Sequence, residues 1–276
     1  MAYDLIAIDI DGTLLNSRRE VSPVTGEALQ RAVSAGKRVA LCTGRSLNSG
    51  RAAAEQVPSS TTLVFHSGAL ILEHLDGPLL RAVNLPRGLA ADLVDFCRRR
   101  GHDPLVYEPV PESRYIWFEH PRSANGWRER YLEANADKAF QVDGLDQVLH
   151  RDPAQIAVAG RGSSMHELKA ELADYGDRIG VILSRSTLVG DYWCMEIVPA
   201  GVSKAKALAF LGERYGINAE RMIGIGDNFN DLDMIEYAGL GVAMGNAPDD
   251  VRRAADLVAP DNDADGVAHV IDTCLL

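Results

Sequence analysis

No stretch of this sequence approaches the roughly 18 consecutive apolar residues of a membrane-spanning helix, so no membrane partner is expected. The start, Met1-Ala2-Tyr3-Asp4-Leu5, lacks the basic segment and long apolar run of a secretory signal. The cytoplasm is therefore the expected location. Paired cysteines are missing too. Cys42, Cys97, Cys194 and Cys274 are scattered without a Cys-x-x-Cys, which excludes a zinc framework and a disulfide scaffold. Basic residues are in deficit: 28 Lys and Arg against 39 Asp and Glu give a net charge of −11 at pH 7. A protein that neutralises a nucleic-acid backbone carries the opposite excess, so no nucleic-acid partner is expected. A small anion is still compatible with this charge, because a metal ion and one lysine can dominate the field inside a cleft. There is no internal repeat and no low-complexity segment, and 46% hydrophobic residues exclude a disordered chain. At 276 residues the chain is long for a single core and comfortable for two domains.

What is present is organised around Asp9-Ile10-Asp11-Gly12-Thr13-Leu14. Leu5, Ile6, Ala7, Ile8 and Ile10 read as a buried strand of a parallel sheet, and period-two alternation sends Asp9 and Asp11 to the same side. A buried carboxylate is costly unless it is paired or bound to a cation. Mg2+ is the natural partner, since it suits oxygen ligands and is usually held by one or two carboxylates together with substrate phosphate. Asp-x-Asp-Gly also occurs in surface turns, where the Asp side chains bond their own backbone and Gly supplies positive φ. The choice between these readings rests on what the later strand ends supply.

Ser22 to Gly36 reads as a helix, with Ser22-Pro23 at its start and Ala28, Leu29, Ala32 and Val33 as its apolar stripe. The strand Arg38–Cys42 ends in Thr43-Gly44-Arg45 ahead of another helical segment, which places backbone N–H groups where a phosphate can bind. Thr43 as a mere cap of that helix is the alternative. Leu63 to Leu72 reads as a strand running into a hairpin around His66-Ser67-Gly68, with His66 either a substrate contact or an ordinary loop residue. From about 82 to 198, helices alternate with pairs of adjacent strands, which suggests an inserted α+β domain whose sheet has one covered face. Trp117, Trp127, Tyr192 and Trp193 fall there; such aromatics mostly build core, and one or two can line a pocket.

The α/β pattern then resumes. Lys204 stands in the first turn of a helix, where the dipole disfavours a cation; an anion in front of it would explain the position, although a surface lysine also tolerates it at a cost well under about 1 kcal/mol. The strand Met222–Gly226 delivers Asp227-Asn228-Phe229-Asn230-Asp231, and a further strand leads into Gly245-Asn246-Ala247-Pro248. Ligands of open parallel α/β sheets bind beyond the carboxyl ends of the strands, and Asp9, Asp11, Thr43, Lys204, Asp227, Asn230 and Asp231 are all placed to converge there.

Taken together, the motifs resemble those of the haloacid dehalogenase superfamily, in particular its Cof-type phosphatases. The pattern Asp-x-Asp-Gly-Thr-Leu, a strand-end Thr, a Lys and Gly-Asp-x-x-Asn-Asp is matched by Asp9–Leu14, Thr43, Lys204 and Gly226–Asp231, and Val242–Ala247 is similar as well. The resemblance spans the chain. Two departures are Ser67-Gly68, where Asn-Gly is usual, and Ala205, where glycine is common. The resemblance implies an α/β fold: a Rossmann-like parallel-sheet core of residues 1–81 and 199–276, with an inserted α+β cap of 82–198 that selects substrate. It implies a phosphoric monoester hydrolase in which Asp9 attacks phosphorus and Asp11 protonates the leaving oxygen and then activates water. Mg2+ would be held by Asp9, the main-chain carbonyl of Asp11 and Asp227, with Asp231 nearby holding either Lys204 or a metal-bound water. Lys204, Thr43, Asn230 and the backbone N–H groups of the Ile10 and Gly44 turns would meet the phosphoryl charge. The expected partner is a small phosphorylated metabolite, a sugar phosphate or a phosphorylated cofactor. Arg114, Trp117 and Tyr192 in the cap, with His66 and Asn246 in the core loops, are the candidates for choosing it. Oligomeric state is not indicated. Two alternatives stay open: a phosphotransferase or sugar-phosphate mutase using the same aspartyl-phosphate, and a non-catalytic metabolite-binding protein.

Overall fold

A computed structural model describes residues 3–186 and 189–276. In chain order the strands and helices are β1 (Leu5–Ile8), α1 (Pro23–Ser34), β2 (Arg38–Cys42), α2 (Leu47–Ala54), β3 (Thr62–Phe65), β4 (Leu70–Leu72), β5 (Leu79–Ala82), α3 (Arg87–Arg99), β6 (Leu105–Tyr107), β7 (Ile116–Phe118), α4 (Gly126–Ala134), β8 (Ala139–Gln141), β9 (Ile156–Arg161), α5 (Gly162–Leu172), β10 (Ile179–Arg185), β11 (Tyr192–Pro199), α6 (Lys204–Tyr215), β12 (Met222–Gly226), α7 (Leu232–Tyr237), β13 (Leu240–Ala243), α8 (Asp249–Ala254), β14 (Leu257–Val258) and α9 (Gly266–Val270). They form two units, one of the residues up to Arg81 with Ser203–Leu276, the other of Ala82–Val202. The second boundary falls at Val202 rather than 198 because β11 goes on pairing with β10 as far as Pro199.

The first unit is built on an eight-stranded sheet in the order β14-β13-β12-β1-β2-β3-β4-β5. Strands β14 to β3 are parallel, and β4 returns antiparallel to β3. All four residues of β1 are buried, which fits a strand covered on both faces and explains its unbroken apolar run. Ile8 is level with Leu41 of β2 and Ile225 of β12. The residues that follow these strands, Asp9, Thr43 and Asp227, therefore emerge at one edge of the sheet. Ser22 caps α1 by accepting from the Thr25 amide at 3.0 Å, with Pro23 in the first turn. Helix α6 packs Ala207, Leu208 and Leu211 onto Leu5, Ala7, Ala40 and Met222, and so is held against the strands whose ends carry the acids.

The second unit has a six-stranded sheet in the order β10-β11-β9-β6-β7-β8, antiparallel except between β7 and β8. Val106, Ile156, Val158, Met195 and Ile197 face Leu93 and Cys97 of α3 and Met165 and Leu168 of α5. Tyr107, one residue on from Val106, points to the opposite face, where its hydroxyl lies 2.6 Å from that of Tyr131 on α4. Part of the second face is thus covered as well, contrary to the expectation of one covered face. The reason is topological: β7 and β8 are parallel, so the connection between them must cross over a face of the sheet, and α4 is that crossover. Its Trp127 and Tyr131 rings stack at 4.7 Å. No helix among the described residues is long and apolar enough to cross a membrane.

Candidate active site

The amide of Asp9 still belongs to the sheet, donating to Ile225 at 3.0 Å. The chain then turns sharply: the amides of Leu14 and Leu15 return to the carbonyls of Asp9 and Ile10, and Gly12 makes the turn at φ +80°. Asp9 is consequently buried, whereas Asp11, beyond the last strand residue, has a half-exposed side chain. Strand alternation does not carry through to Asp11, because β1 ends at Ile8.

Lys204 opens α6 behind its cap Ser203 and is 1% exposed. Its ammonium donates to Asp9 Oδ1 at 2.5 Å and to Asp231 Oδ1. Burial alone would push this ammonium towards neutrality, but Asp231 and Asp9 outweigh it, so its pKa is raised and the charge is kept. The other oxygen of Asp231 accepts from the amides of Asp227 at 3.0 Å and Asn228 at 2.9 Å. Both carboxylate oxygens of Asp231 are thus engaged, one by Lys204 and one by the backbone that presents Asp227.

Asp227 is also buried. Its Oδ1 accepts from the Thr13 hydroxyl at 3.3 Å and its Oδ2 from Asn246 Nδ2 at 3.5 Å, while the same Asn246 nitrogen donates to the Gly12 carbonyl at 2.8 Å. Asp9, Asp227 and Asp231 each bring one oxygen within 4.8 Å of the others. Burial, and then repulsion by neighbouring carboxylates, pushes Asp9 up to about 7 and Asp227 up to about 8. Three buried acids against one ammonium are under-compensated, and a hard divalent cation that takes oxygen ligands fits such a donor set. The Cys42 thiol beneath the cluster is pushed up to about 12 by burial and is no nucleophile.

Thr43 is buried at the end of β2, and its hydroxyl accepts from the Arg45 amide at 3.1 Å. The cap of α2 is Ser46, which accepts from the Ser49 amide at 3.2 Å, so capping does not account for Thr43. Gly44 follows in the same turn; the Ile10 side chain is buried; Asn230 is partly buried in the 3-10 turn Phe229–Asp231. His66 has no exposed surface, and the amides of His66 and Ser67 donate to the carbonyls of Arg45 and Thr43, both at 2.9 Å. Arg114, Trp117 and Tyr192 belong to the second unit. Arg114 is exposed, its amide donating to Glu108 Oε2 at 2.6 Å; Trp117 packs on that unit's own core; Tyr192 is partly buried at the start of β11. Two contributors were not singled out from the sequence: Thr13, on Asp227, and Arg45, whose guanidinium binds both oxygens of Asp11. The adjacency of Arg45 to Thr43-Gly44 was the available signal.

The sequence profile of the haloacid dehalogenase-like hydrolases matches residues 6–271. The chain belongs to that family, in the Cof-type branch that its motifs resemble. It is 28% identical over 281 residues to a pyridoxal phosphate phosphatase of Escherichia coli (strain K12), covering 100% of both chains. It is 30% identical over 268 residues to a 5-amino-6-(5-phospho-D-ribitylamino)uracil phosphatase of Bacillus subtilis (strain 168), covering 97% of this chain and 94% of that one. The crystal structure of a haloacid dehalogenase-like hydrolase from Bacteroides thetaiotaomicron superposes with a TM-score of 0.78 at 30% identity over 98% of each chain.

Proposed function

We propose that the protein is a Mg2+-dependent phosphatase that hydrolyses a small phosphorylated metabolite through a phosphoryl group carried on Asp9. The observation that carries this reading is the burial of Asp9 against Lys204, with Asp227 and Asp231 alongside and Asp11 two residues further on at the rim. A carboxylate oxygen of Asp9 attacks phosphorus as the bond to the leaving oxygen breaks, and Asp11 gives that oxygen its proton. Water then attacks phosphorus, Asp11 takes a proton from it, and the bond to Asp9 breaks to release inorganic phosphate. Lys204, fixed by Asp231, meets the charge on the transferring group together with the Thr43 hydroxyl, Asn230 and the amides of the Ile10 and Gly44 turns. Mg2+, held by Asp9, Asp227 and the main-chain carbonyl of Asp11, would keep Asp9 ionised and draw charge from the phosphoryl oxygens.

These groups address only the phosphoryl group, so the choice of leaving group falls elsewhere. Within this reading, residues 82–202 make that choice, with Arg114, Trp117 and Tyr192 as candidates and His66 and Asn246 as the core-loop alternatives. Relatives named for pyridoxal phosphate and for a phosphoribitylamino-uracil favour a phosphorylated cofactor or cofactor precursor, beside sugar phosphates.

The test is release of inorganic phosphate, without an added acceptor, from a panel of phosphorylated metabolites in Mg2+. Wild-type protein is expected to turn over at least one of them and to stop when Mg2+ is chelated. Asp9→Asn keeps the shape of the side chain but removes the attacking charge, and should cost about three or more powers of ten in kcat with the fold retained by circular dichroism. Near-normal turnover by that variant would sink the covalent mechanism.

A further inference from the structure

Asp11 stands past the end of β1 with its side chain half exposed, so strand packing does not set its rotamer. The proton transfer assigned to it needs the carboxyl at one place. What holds it is Arg45: Nε donates to Oδ2 at 2.6 Å and Nη2 to Oδ1. Two parallel bonds of this kind fix the plane of a carboxylate as well as its position. Arg45 is in turn held from several sides. Its Nη1 donates to the Ser49 carbonyl at 3.1 Å, its amide to Thr43 Oγ1 at 3.1 Å, and its own carbonyl accepts from the His66 amide at 2.9 Å. The Arg45 side chain is only 19% exposed, so it is a built part of the Thr43–Ser49 segment and not a solvated surface charge.

We propose that Arg45 is a positioning residue that sets where the Asp11 carboxyl stands, so that it governs proton transfer to the leaving oxygen and leaves the attack by Asp9 untouched. This assignment rests on the phosphatase reading above. It separates from direct phosphate binding by Arg45, because the phosphoryl group is common to all substrates while the need for a proton is not. An alkyl phosphate has a poor leaving group and depends on the acid; an activated aryl phosphate barely does.

The experiment compares wild type, Arg45→Met, Arg45→Lys, Asp11→Asn and the Asp11→Asn, Arg45→Met double variant. Each is assayed on the best alkyl phosphate from the metabolite panel and on p-nitrophenyl phosphate, with thermal unfolding of each. Arg45→Met should lower kcat on the alkyl phosphate by about ten- to a hundredfold, with KM and aryl phosphate turnover within about threefold of wild type. Arg45→Lys should restore little, since a point charge cannot reproduce a two-bond fork. In the Asp11→Asn background, Arg45→Met should add no further loss, the mark of residues that act as one. Equal loss on both substrates, a raised KM on both, or additive losses in the double variant would overturn the assignment. Arg45→Lys serves the same comparison if Arg45→Met does not fold. An inactive wild type would overturn the phosphatase reading and this assignment with it, whereas an active wild type with uniform losses overturns this assignment alone.

Discussion

Gly12 joins the two halves of the acidic cluster at the level of a single atom. Its φ of +80° lies where a side chain is strained, and a Cβ built there would stand 2.3 Å from Asp227 Oδ2. Gly12→Ala must therefore displace the Asp227 carboxylate or the turn that carries residue 12. The backbone strain costs about 1 kcal/mol, a few degrees in Tm, whereas displacing Asp227, a cation ligand in the proposed reading, strikes at binding. The expected outcome is a Mg2+ concentration for half-maximal thermal shift raised more than about tenfold, with the metal-free Tm lowered only slightly. An unchanged Mg2+ midpoint would mean that Asp227 does not hold the cation. Asp9, Lys204, Asp227 and Asp231 were legible in the sequence because each breaks a local rule: acids at the ends of apolar strands, a lysine where a helix dipole opposes it. Arg45 and Thr13 break none. An arginine and a threonine in loops are ordinary, and their partners lie 34 and 214 residues away, so no window of sequence could connect them.

Among the elements, backbone strain is concentrated in the turn between β3 and β4. His66, Ser67 and Gly68 stand in succession at φ 46°, 54° and 110°, and asparagine tolerates that region better than serine. This is the physical content of the Asn-Gly pair that Ser67-Gly68 replaces. The turn is pinned by the Ser67 amide on the Thr43 carbonyl, and it abuts the start of α6, where a Cβ on Gly68 would meet the Ser203 carbonyl oxygen at 2.8 Å and the Ala207 Cβ at 3.2 Å. Gly68→Ala should therefore destabilise by about 1–3 kcal/mol in urea unfolding. It should also lower kcat, because the residue it pushes on precedes Lys204. Full stability in that variant would show that the helix start gives way freely. Most strands and helices of both units could be read from apolar runs and caps, but β5 and β8 could not. They are edge strands of four and three residues with no buried position, and without a buried face there is no alternation to read. The side of the sheet that α4 covers was equally illegible, since Trp127 and Tyr131 declare a buried face without saying which sheet surface it meets.

For the molecule as a whole, the buried acids make stability depend on pH, and on the proposed cation in the opposite direction. Without a cation, Asp9 is raised to about 7 and Asp227 to about 8, while in the unfolded chain both ionise near the ordinary aspartate value of about 3.9. Between those limits the native state binds protons that the unfolded state has lost, so the contribution of these two groups to stability falls as pH rises through the window. A divalent cation held by these carboxylates, as proposed, would displace the same protons, so its affinity should climb with pH across the window and level off above about 8. The Tm of chelator-treated protein is therefore expected to decline from about pH 5.5 to about pH 8.5, while the upward shift produced by Mg2+ grows over the same range. Asp227→Asn, which removes one raised group and replaces a charged carboxylate ligand of the proposed cation by a neutral amide oxygen, should flatten the metal-free decline and shrink the Mg2+ shift most at high pH. Differential scanning calorimetry of both proteins, with Mg2+ and with chelator at matched ionic strength, separates the site from the general self-repulsion of a chain carrying −11. That repulsion acts on both proteins almost equally, whereas the site acts through residue 227. A Mg2+ shift that is flat with pH, or identical in the two proteins, would place the cation away from these carboxylates.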